Sequence, residues 1–112
     1  MSGLSEPARR HRPDDVEVAV QILSSRLSNE IVRFLKDHPT SSSQEIVEAT
    51  GSTRNAVAGQ LKVLEDAGVV HGIPERGHRR GHSARYRVNH QALQVLLDAW
   101  LAYVTGGSPT TT

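Results

Sequence analysis

The sequence predicts one mostly helical α+β domain, and three observations support this fold class. The chain has 112 residues, a length that fits one domain and is too short for two separate cores. Between residues 14 and 104 apolar side chains recur at helical spacing, and only after Gly68 does the spacing change to that of a strand. There is no Cys, so a disulfide framework, a thiolate metal site and a Cys nucleophile are excluded.

Both ends of the chain are predicted to lie outside this domain. Residues 1–13 contain Pro, Gly and the cluster Arg9-Arg10-His11-Arg12, which is typical of a flexible basic arm. Residues 105–112 are Thr, Gly, Ser and Pro only, a composition that predicts a disordered tail. The folded domain is therefore expected over residues 14–104.

The first helix is predicted to begin at Asp14–Asp15 and to be apolar on two sides. One face is formed by Val16, Ala19, Val20, Leu23 and Leu27. Val18 and Ile22 form a second stripe, so we expect one face on the core and the other against a partner subunit. A second helix, capped by Ser28, is predicted to end before Pro39.

Two shorter helices are predicted to follow, separated by a glycine turn. The third runs from Gln44 to Gly51, where glycine supplies the left-handed residue that ends many helices. Ser52 or Thr53 caps the fourth, which ends at Gly68. Its expected core anchors are Val57, Leu61 and Leu64.

The segment after Gly68 is predicted to be a basic β-hairpin. Val69, Val70 and Ile73 indicate its first strand, Tyr86 and Val88 its second, and the tip lies near residues 77–83. Between residues 76 and 87 there is no carboxylate, and the arginines are Arg76, Arg79, Arg80, Arg85 and Arg87. This hairpin is locally far more basic than the net charge of +1 suggests.

Asn89 is predicted to cap a last helix with a broad apolar face. That face comprises Leu93, Leu96, Leu97, Trp100, Leu101 and Val104. The order of about five helices, with a glycine turn and one hairpin before the last helix, is that of a winged helix-turn-helix.

In this fold the fourth helix presents its polar N-terminal face to the major groove of DNA. Arg54, Asn55 and Gln60 are predicted to contact bases, since Arg pairs with guanine and Asn or Gln with adenine. The predicted phosphate contacts are Ser52, Thr53, Lys62, Arg76, Arg79 and Arg80.

Two features leave alternatives open. Gly59 lies inside the fourth helix, where it costs about 1 kcal/mol relative to Ala; either the backbone approaches DNA there, or the helix packs tightly on a neighbour. The cluster Arg9-Arg10-His11-Arg12 either enters a DNA groove or is a solvated tail.

The segment from Glu45 to Val70 resembles the ArsR-type winged-helix transcriptional repressors, and more loosely the MarR type. Within this segment the matching stretches are Ala56-Val57, Leu61-Lys62-Val63-Leu64 and Ala67-Gly68-Val69-Val70. They are followed by the closing strand Arg85-Tyr86-Arg87-Val88. The resemblance covers residues 16–104. It implies a homodimer formed by the first and last helices, with one recognition helix on each half of a palindromic operator. The residues expected at the dimer interface are Val18, Ile22, Leu97, Trp100 and Leu101.

Neither a metal site nor a cofactor is predicted. Many members of the family bind metal through Cys on the third helix, where this chain has Ile46, Val47 and Glu48, or through Asp and His on the last helix, which offers only His90 and Asp98. The six His match no HEXXH or zinc-finger spacing. No Gly-x-Ser-x-Gly, P-loop or paired-carboxylate motif occurs either, so we do not expect an enzyme.

The sequence as a whole predicts a double-stranded DNA-binding transcriptional regulator, a homodimeric repressor with no catalytic activity. It is expected in the cytoplasm and away from membranes, because no apolar run approaches the ~18 residues of a membrane span. The alternative is a winged helix that binds other proteins and no specific DNA. A third hypothesis adds an unidentified small-molecule effector in a pocket at the dimer interface.

Overall fold

The computed structural model describes residues 13–74 and 84–106. Five helices and three short strands follow one another as α1 Pro13–Leu23, α2 Arg26–Asp37, β1 Ser41–Ser42, α3 Ser43–Thr50, α4 Arg54–Asp66, β2 Val70–Ile73, β3 Arg85–Val88 and α5 His90–Thr105. The predicted order of helices and hairpin is confirmed. Strand β1 was not predicted, because a Ser-Ser pair carries no alternating pattern. None of the helices within these ranges is long and apolar enough to cross a membrane.

Helices α2 to α5 each begin at a polar side chain that accepts a hydrogen bond from a backbone N–H three residues later. These caps are Ser25, Ser42, Thr53 and Asn89. The prediction that Ser28 caps α2 is wrong: Ser25 is the cap, and its Oγ accepts from the Ser28 amide at 3.1 Å. Both serines suit a cap, but the earlier start turns Leu27 and Ser28 towards the core, where Ser28 is fully buried.

The sheet has the antiparallel order β1-β3-β2. Its longer ladder pairs Val70 with Val88 and Ile73 with Arg85, and β1 pairs only with the first half of β3, at Ser41↔Tyr86 and Ser42↔Arg85. Alternation along β2 and β3 buries one face and exposes the other, as the period of two requires.

The core joins all five helices to the buried face of the sheet. Its most completely buried large side chains are Ile31, Leu35, Ile46, Val57, Leu64, Val69 and Val70. On α1 the predicted faces are partly exchanged: Ile22 is 4% exposed and belongs to the core, whereas Val20 is 45% exposed. The prediction that Ile22 faces a partner subunit is therefore wrong, because α1 packs on α5 and the Ile22 side chain is buried in the core of the single chain.

Glycines in the left-handed region end α3 and α4 as predicted. Gly51 has φ +73° and Gly68 has φ +78°. Three residues of the predicted arm and tail are described: Pro13 is the first residue of α1, Thr105 is the last of α5, and Gly106 is the left-handed C-cap of α5. The others lie outside the described residues. Helices α1 and α5 thus each reach one residue beyond the range 14–104.

Candidate nucleic-acid interface

Helices α3 and α4, joined at Gly51, present the surface that the sequence assigns to DNA. Val57, Leu61 and Leu64 are buried and fix α4 to the core. The opposite side of α4 is exposed, and its residues there are Arg54, Asn55, Ala56, Ala58, Gly59 and Lys62. Apart from Arg54 and Lys62 these side chains are short, and Asn55 is the polar one among them.

Arg54 is held in place by α3. Its Nη2 donates to Gln44 Oε1 at 3.0 Å, and Gln44 Nε2 donates to Glu48 Oε2 at 3.0 Å. The guanidinium keeps other N–H donors for a ligand, since it carries five. Gln44 was missed by sequence reasoning; its position in the first turn of α3, the neighbour of α4 across a short turn, was the signal that could have found it.

The two predicted contacts before α4 are used locally by the fold. Thr53 Oγ1 caps α4 by accepting from the Ala56 amide at 3.1 Å, which leaves its hydroxyl proton to donate. Ser52 is half-buried, and its amide donates to Thr50 Oγ1 at 3.3 Å. The Asn55 side chain is exposed and makes no hydrogen bond within the described ranges.

Gln60 departs from the expected outward orientation. Its Oε1 accepts a hydrogen bond from Ser28 Oγ at 2.6 Å, and it is half-buried between α4 and α2. The spacing permits this, because position 60 follows the core residue Val57 by three and precedes Leu61, at the edge of the inward side of α4. Gln60 thus satisfies a fully buried hydroxyl, a structural role that its predicted base contact did not include.

Lys62, the predicted phosphate contact on the third turn of α4, lies on the outward face. Its Nζ forms an ion pair with Asp66 Oδ2 at 3.1 Å, and the two side chains are 65% and 49% exposed. An exposed i,i+4 pair is worth only a few tenths of a kcal/mol. Lys62 can therefore exchange Asp66 for a phosphate at little cost.

Arg85, at the loop end of the β2–β3 ladder, links the hairpin to the helix-turn-helix. Its Nη1 donates to Thr40 O at 3.2 Å and to Glu45 Oε1 at 3.3 Å. The same Glu45 oxygen accepts from the Ser42 amide at 2.8 Å in the capping box of α3. The carboxylate thus holds the start of α3 and β3 together. The predicted phosphate contacts Arg76, Arg79 and Arg80 lie outside the described residues.

The structure removes one of the two explanations of Gly59. A Cβ placed on Gly59 would meet nothing within 4 Å, so tight packing on a neighbouring helix within the chain is wrong. Approach of the backbone to DNA stays a prediction.

A second exposed surface, on α1 and α5, is apolar. Its large side chains are Val20, Val95, Leu101, Tyr103 and Val104. Of the predicted interface residues, Leu101 is 53% exposed, whereas Val18, Leu97 and Trp100 are half-buried, with Val18 and Trp100 packed against the core. Val20 and Val95 were not among the predicted interface residues. Within the part of the chain that the structure describes, no group of three or more His, Asp or Glu is placed to hold a metal ion.

Comparison with known proteins supports the predicted family resemblance. Residues 30–81 match the sequence profile of the MarR family. No curated protein matches the chain. Among solved structures, an ArsR family transcriptional regulator superposes with a TM-score of 0.66 at 16% identity, over 86% of this chain and 92% of that one.

Two further structures are similar over nearly the whole chain. One is the homodimeric winged helix-turn-helix DNA-binding domain of a possible ArsR-family regulator from Mycobacterium bovis, with a TM-score of 0.61 and 22% identity over 92% of this chain and 95% of that one. The other is AntR, an antimony-specific transcriptional repressor, with a TM-score of 0.58 and 17% identity over 95% and 97%. The fold is thus a winged helix-turn-helix of the kind found in MarR- and ArsR-type transcriptional regulators.

Proposed function

We propose that this protein is a transcriptional repressor that binds double-stranded DNA as a homodimer and has no catalytic activity. The observation that carries the proposal is the outward face of α4: Arg54 and Asn55 stand exposed at its first turn, while Val57, Leu61 and Leu64 fix the helix to the core. A helix anchored on one side and polar on the other fits the major groove.

In this proposal Arg54 and Asn55 specify bases. Arg54 donates to guanine, and its hydrogen bond to Gln44 on α3 orients the guanidinium. Asn55 pairs with adenine. The residues that contact DNA phosphates, and so position the protein on the duplex, are Ser52, Thr53, Lys62, Arg76, Arg79 and Arg80. Gln60 is left out of the base-reading set, because Ser28 already occupies its Oε1.

The apolar surface of α1 and α5 supports the dimer. Leu101, Tyr103 and Val104 are each more than half exposed on the last turns of α5, which is costly in water unless another surface covers them. The similar Mycobacterium bovis domain is homodimeric. A dimer also presents two α4 helices to a palindromic operator, with half-sites about one helical turn apart. Repression is proposed by similarity to AntR.

The test measures DNA binding by the full chain. The method is fluorescence anisotropy with DNA fragments from upstream of its own gene. We expect binding that prefers one inverted repeat and weakens steeply with salt, because phosphate contacts release counterions. Asn55→Ala should weaken binding to that repeat by about tenfold and leave binding to a scrambled duplex unchanged, since a bidentate base contact is worth ~1–3 kcal/mol.

The matched control is Asn29→Ala, an exposed asparagine on α2 that we do not place on DNA. Equal losses on the repeat and on the scrambled duplex would refute the role of Asn55. Absence of any salt-sensitive, sequence-preferring binding would favour the alternative, a winged helix that binds other proteins.

A further inference from the structure

A groove at the base of the hairpin lies apart from the surfaces assigned to DNA and to the dimer. It is bordered by the end of α2, by β2 and β3, and by the start of α5, and its volume is about 460 Å³. It exists because β1 covers only the first half of β3, while the chain at Pro39, which precedes β1, lines the groove. A volume of this size accommodates a small organic ligand.

The charges around this groove are of one sign. Lys36 and Arg87 border it together with His71 and His90, and none of its eight lining residues is a carboxylate. Neither Lys36 nor Arg87 forms an ion pair within residues 13–74 and 84–106. His71 and Arg87 are directly paired across β2 and β3. Among the described residues, two positive charges thus lie at one concave site without a counter-charge.

The hydrogen bonds of Asn89 determine which ring nitrogen of His71 carries the proton. Asn89 Oδ1 accepts from the Ala92 amide at 3.1 Å, which fixes the orientation of the side-chain amide. Its Nδ2 therefore faces His71 Nε2, at 3.2 Å, and since an amide nitrogen only donates, Nε2 must accept. The ring proton of neutral His71 is then on Nδ1, which makes no hydrogen bond within residues 13–74 and 84–106.

The apolar part of the lining indicates more than a bare ion. Leu35 and Val88 are buried beneath the groove, and Pro39 forms part of its rim. Polar donors above an apolar floor are typical of sites for small organic molecules. We propose that this groove binds a small organic anion, a phosphate ester or a carboxylate, through Lys36, Arg87 and His71.

Such a ligand would touch three elements at once, α2, the hairpin and α5. The influence of the ligand on DNA binding rests on the proposed function, since the hairpin would carry the wing and α5 the dimer surface. Binding of the anion itself does not rest on it. Its test therefore uses the protein without DNA.

The experiment is an NMR titration of the 15N-labelled full chain with phenyl phosphate and, separately, with benzoate, against sodium chloride at equal ionic strength. We expect saturable amide shifts at Lys36, His71 and residues 87–90 that sodium chloride does not produce. Arg87→Gln should raise the apparent Kd for the probes by about tenfold, because a charge-assisted hydrogen bond is lost. If the NMR spectrum of Arg87→Gln is not that of a folded protein, Lys36→Gln is titrated instead, and the same rise in Kd is expected.

The matched control is Arg33→Gln, which removes the same charge from an exposed position of α2 outside this groove. It should bind both probes as the unchanged chain does. Shifts that spread over the surface, that sodium chloride reproduces, or that Arg33→Gln weakens equally would overturn the proposal. The proposal would also be overturned if neither probe binds and Arg87→Gln loses affinity for a DNA duplex. Lys36 and Arg87 would then contact the DNA backbone instead. Saturable probe binding without any DNA binding would uphold the groove and refute the proposed function.

Discussion

The face of α4 and the face of α1 and α5 are both exposed but differ in chemistry. On α4 the outward residues at the first turn are Arg54 and Asn55, followed by small side chains. On α5 they include Leu101, Tyr103 and Val104, each more than half exposed. The polar face offers donors to a polyanion, whereas the apolar face is stabilised only when another apolar surface covers it.

One small domain thus exposes two faces of different chemistry. Both helices bury one side in the same core, through Leu61 and Leu64 on α4 and Leu96 and Ala99 on α5. The inward sides are alike, so the core does not distinguish the two helices. Only the outward residues differ in chemistry, so substitutions there should separate DNA binding, dimerisation and stability.

The largest expected effect is on the apolar face. Leu101→Glu should raise the dimer dissociation constant at least a hundredfold, because a buried unpaired carboxylate costs several kcal/mol at an interface. The monomer should stay folded, since Leu101 is 53% exposed in the single chain. Analytical ultracentrifugation measures the first expectation and thermal unfolding the second.

The control is Gln91→Glu, which places a carboxylate on an exposed position in the first turn of the same helix. It should leave the dimer intact. If Leu101→Glu also remains a dimer at micromolar concentration, the interface does not involve the end of α5.

The next largest effect is expected on the polar face. Arg54→Ala should weaken binding to the preferred DNA by about 10- to 100-fold, equal to the ~1–3 kcal/mol of a bidentate guanine contact. Gln44→Ala should cause a smaller loss on the same DNA, because the guanidinium remains but its bond to α3 at 3.0 Å is removed.

Lys62→Ala is the comparison for Arg54→Ala. As a phosphate contact it should weaken all duplexes alike and reduce the log–log salt slope by about 0.9. Anisotropy titrations of preferred and scrambled duplexes at several salt concentrations separate the two behaviours. Identical profiles for Arg54→Ala and Lys62→Ala would contradict the assignment of bases to one and phosphates to the other.

The fold was largely predictable from the sequence because its signals are local. Caps, glycine turns and helical spacing depend on residues a few positions apart, and Gly51, Gly68 and Asn89 were placed correctly. Strand β1 escaped prediction because only its pairing with Arg85 and Tyr86, more than forty residues later, makes Ser41–Ser42 a strand.

The candidate site was less predictable, because long-range contacts decide which way a side chain faces. Helical spacing alone puts Gln60 at the edge between the inward and outward sides of α4. Its hydrogen bond to Ser28, 32 residues earlier, decides for the inward side. For Ile22, the packing of α1 on α5 decided in the same way.

Gln60 also yields a stability prediction. Gln60→Ala should lower the free energy of unfolding by about 1–3 kcal/mol, because it leaves the fully buried Ser28 hydroxyl without its 2.6 Å acceptor. Ser28→Ala combined with Gln60→Ala should cost less than the sum of the single changes, since the two residues share one bond. Urea unfolding of the four proteins measures this. Additive losses would mean that the bond contributes nothing, and a selective loss of base preference in Gln60→Ala would return this residue to the DNA face.

The smallest expected effect concerns Gly59, and its sign differs between stability and binding. Gly59→Ala should raise the free energy of unfolding by about 1 kcal/mol, since alanine favours a helix interior and a Cβ there meets nothing within 4 Å. If the backbone of α4 approaches DNA at this point, the same methyl group should weaken binding several-fold although the protein is more stable. Ala58→Gly, the reverse change at the adjacent exposed position, should destabilise the helix by about the same amount. A Gly59→Ala protein that is more stable and binds DNA with undiminished affinity would leave the glycine without a role at the DNA face, and the close approach of α4 would have to be abandoned.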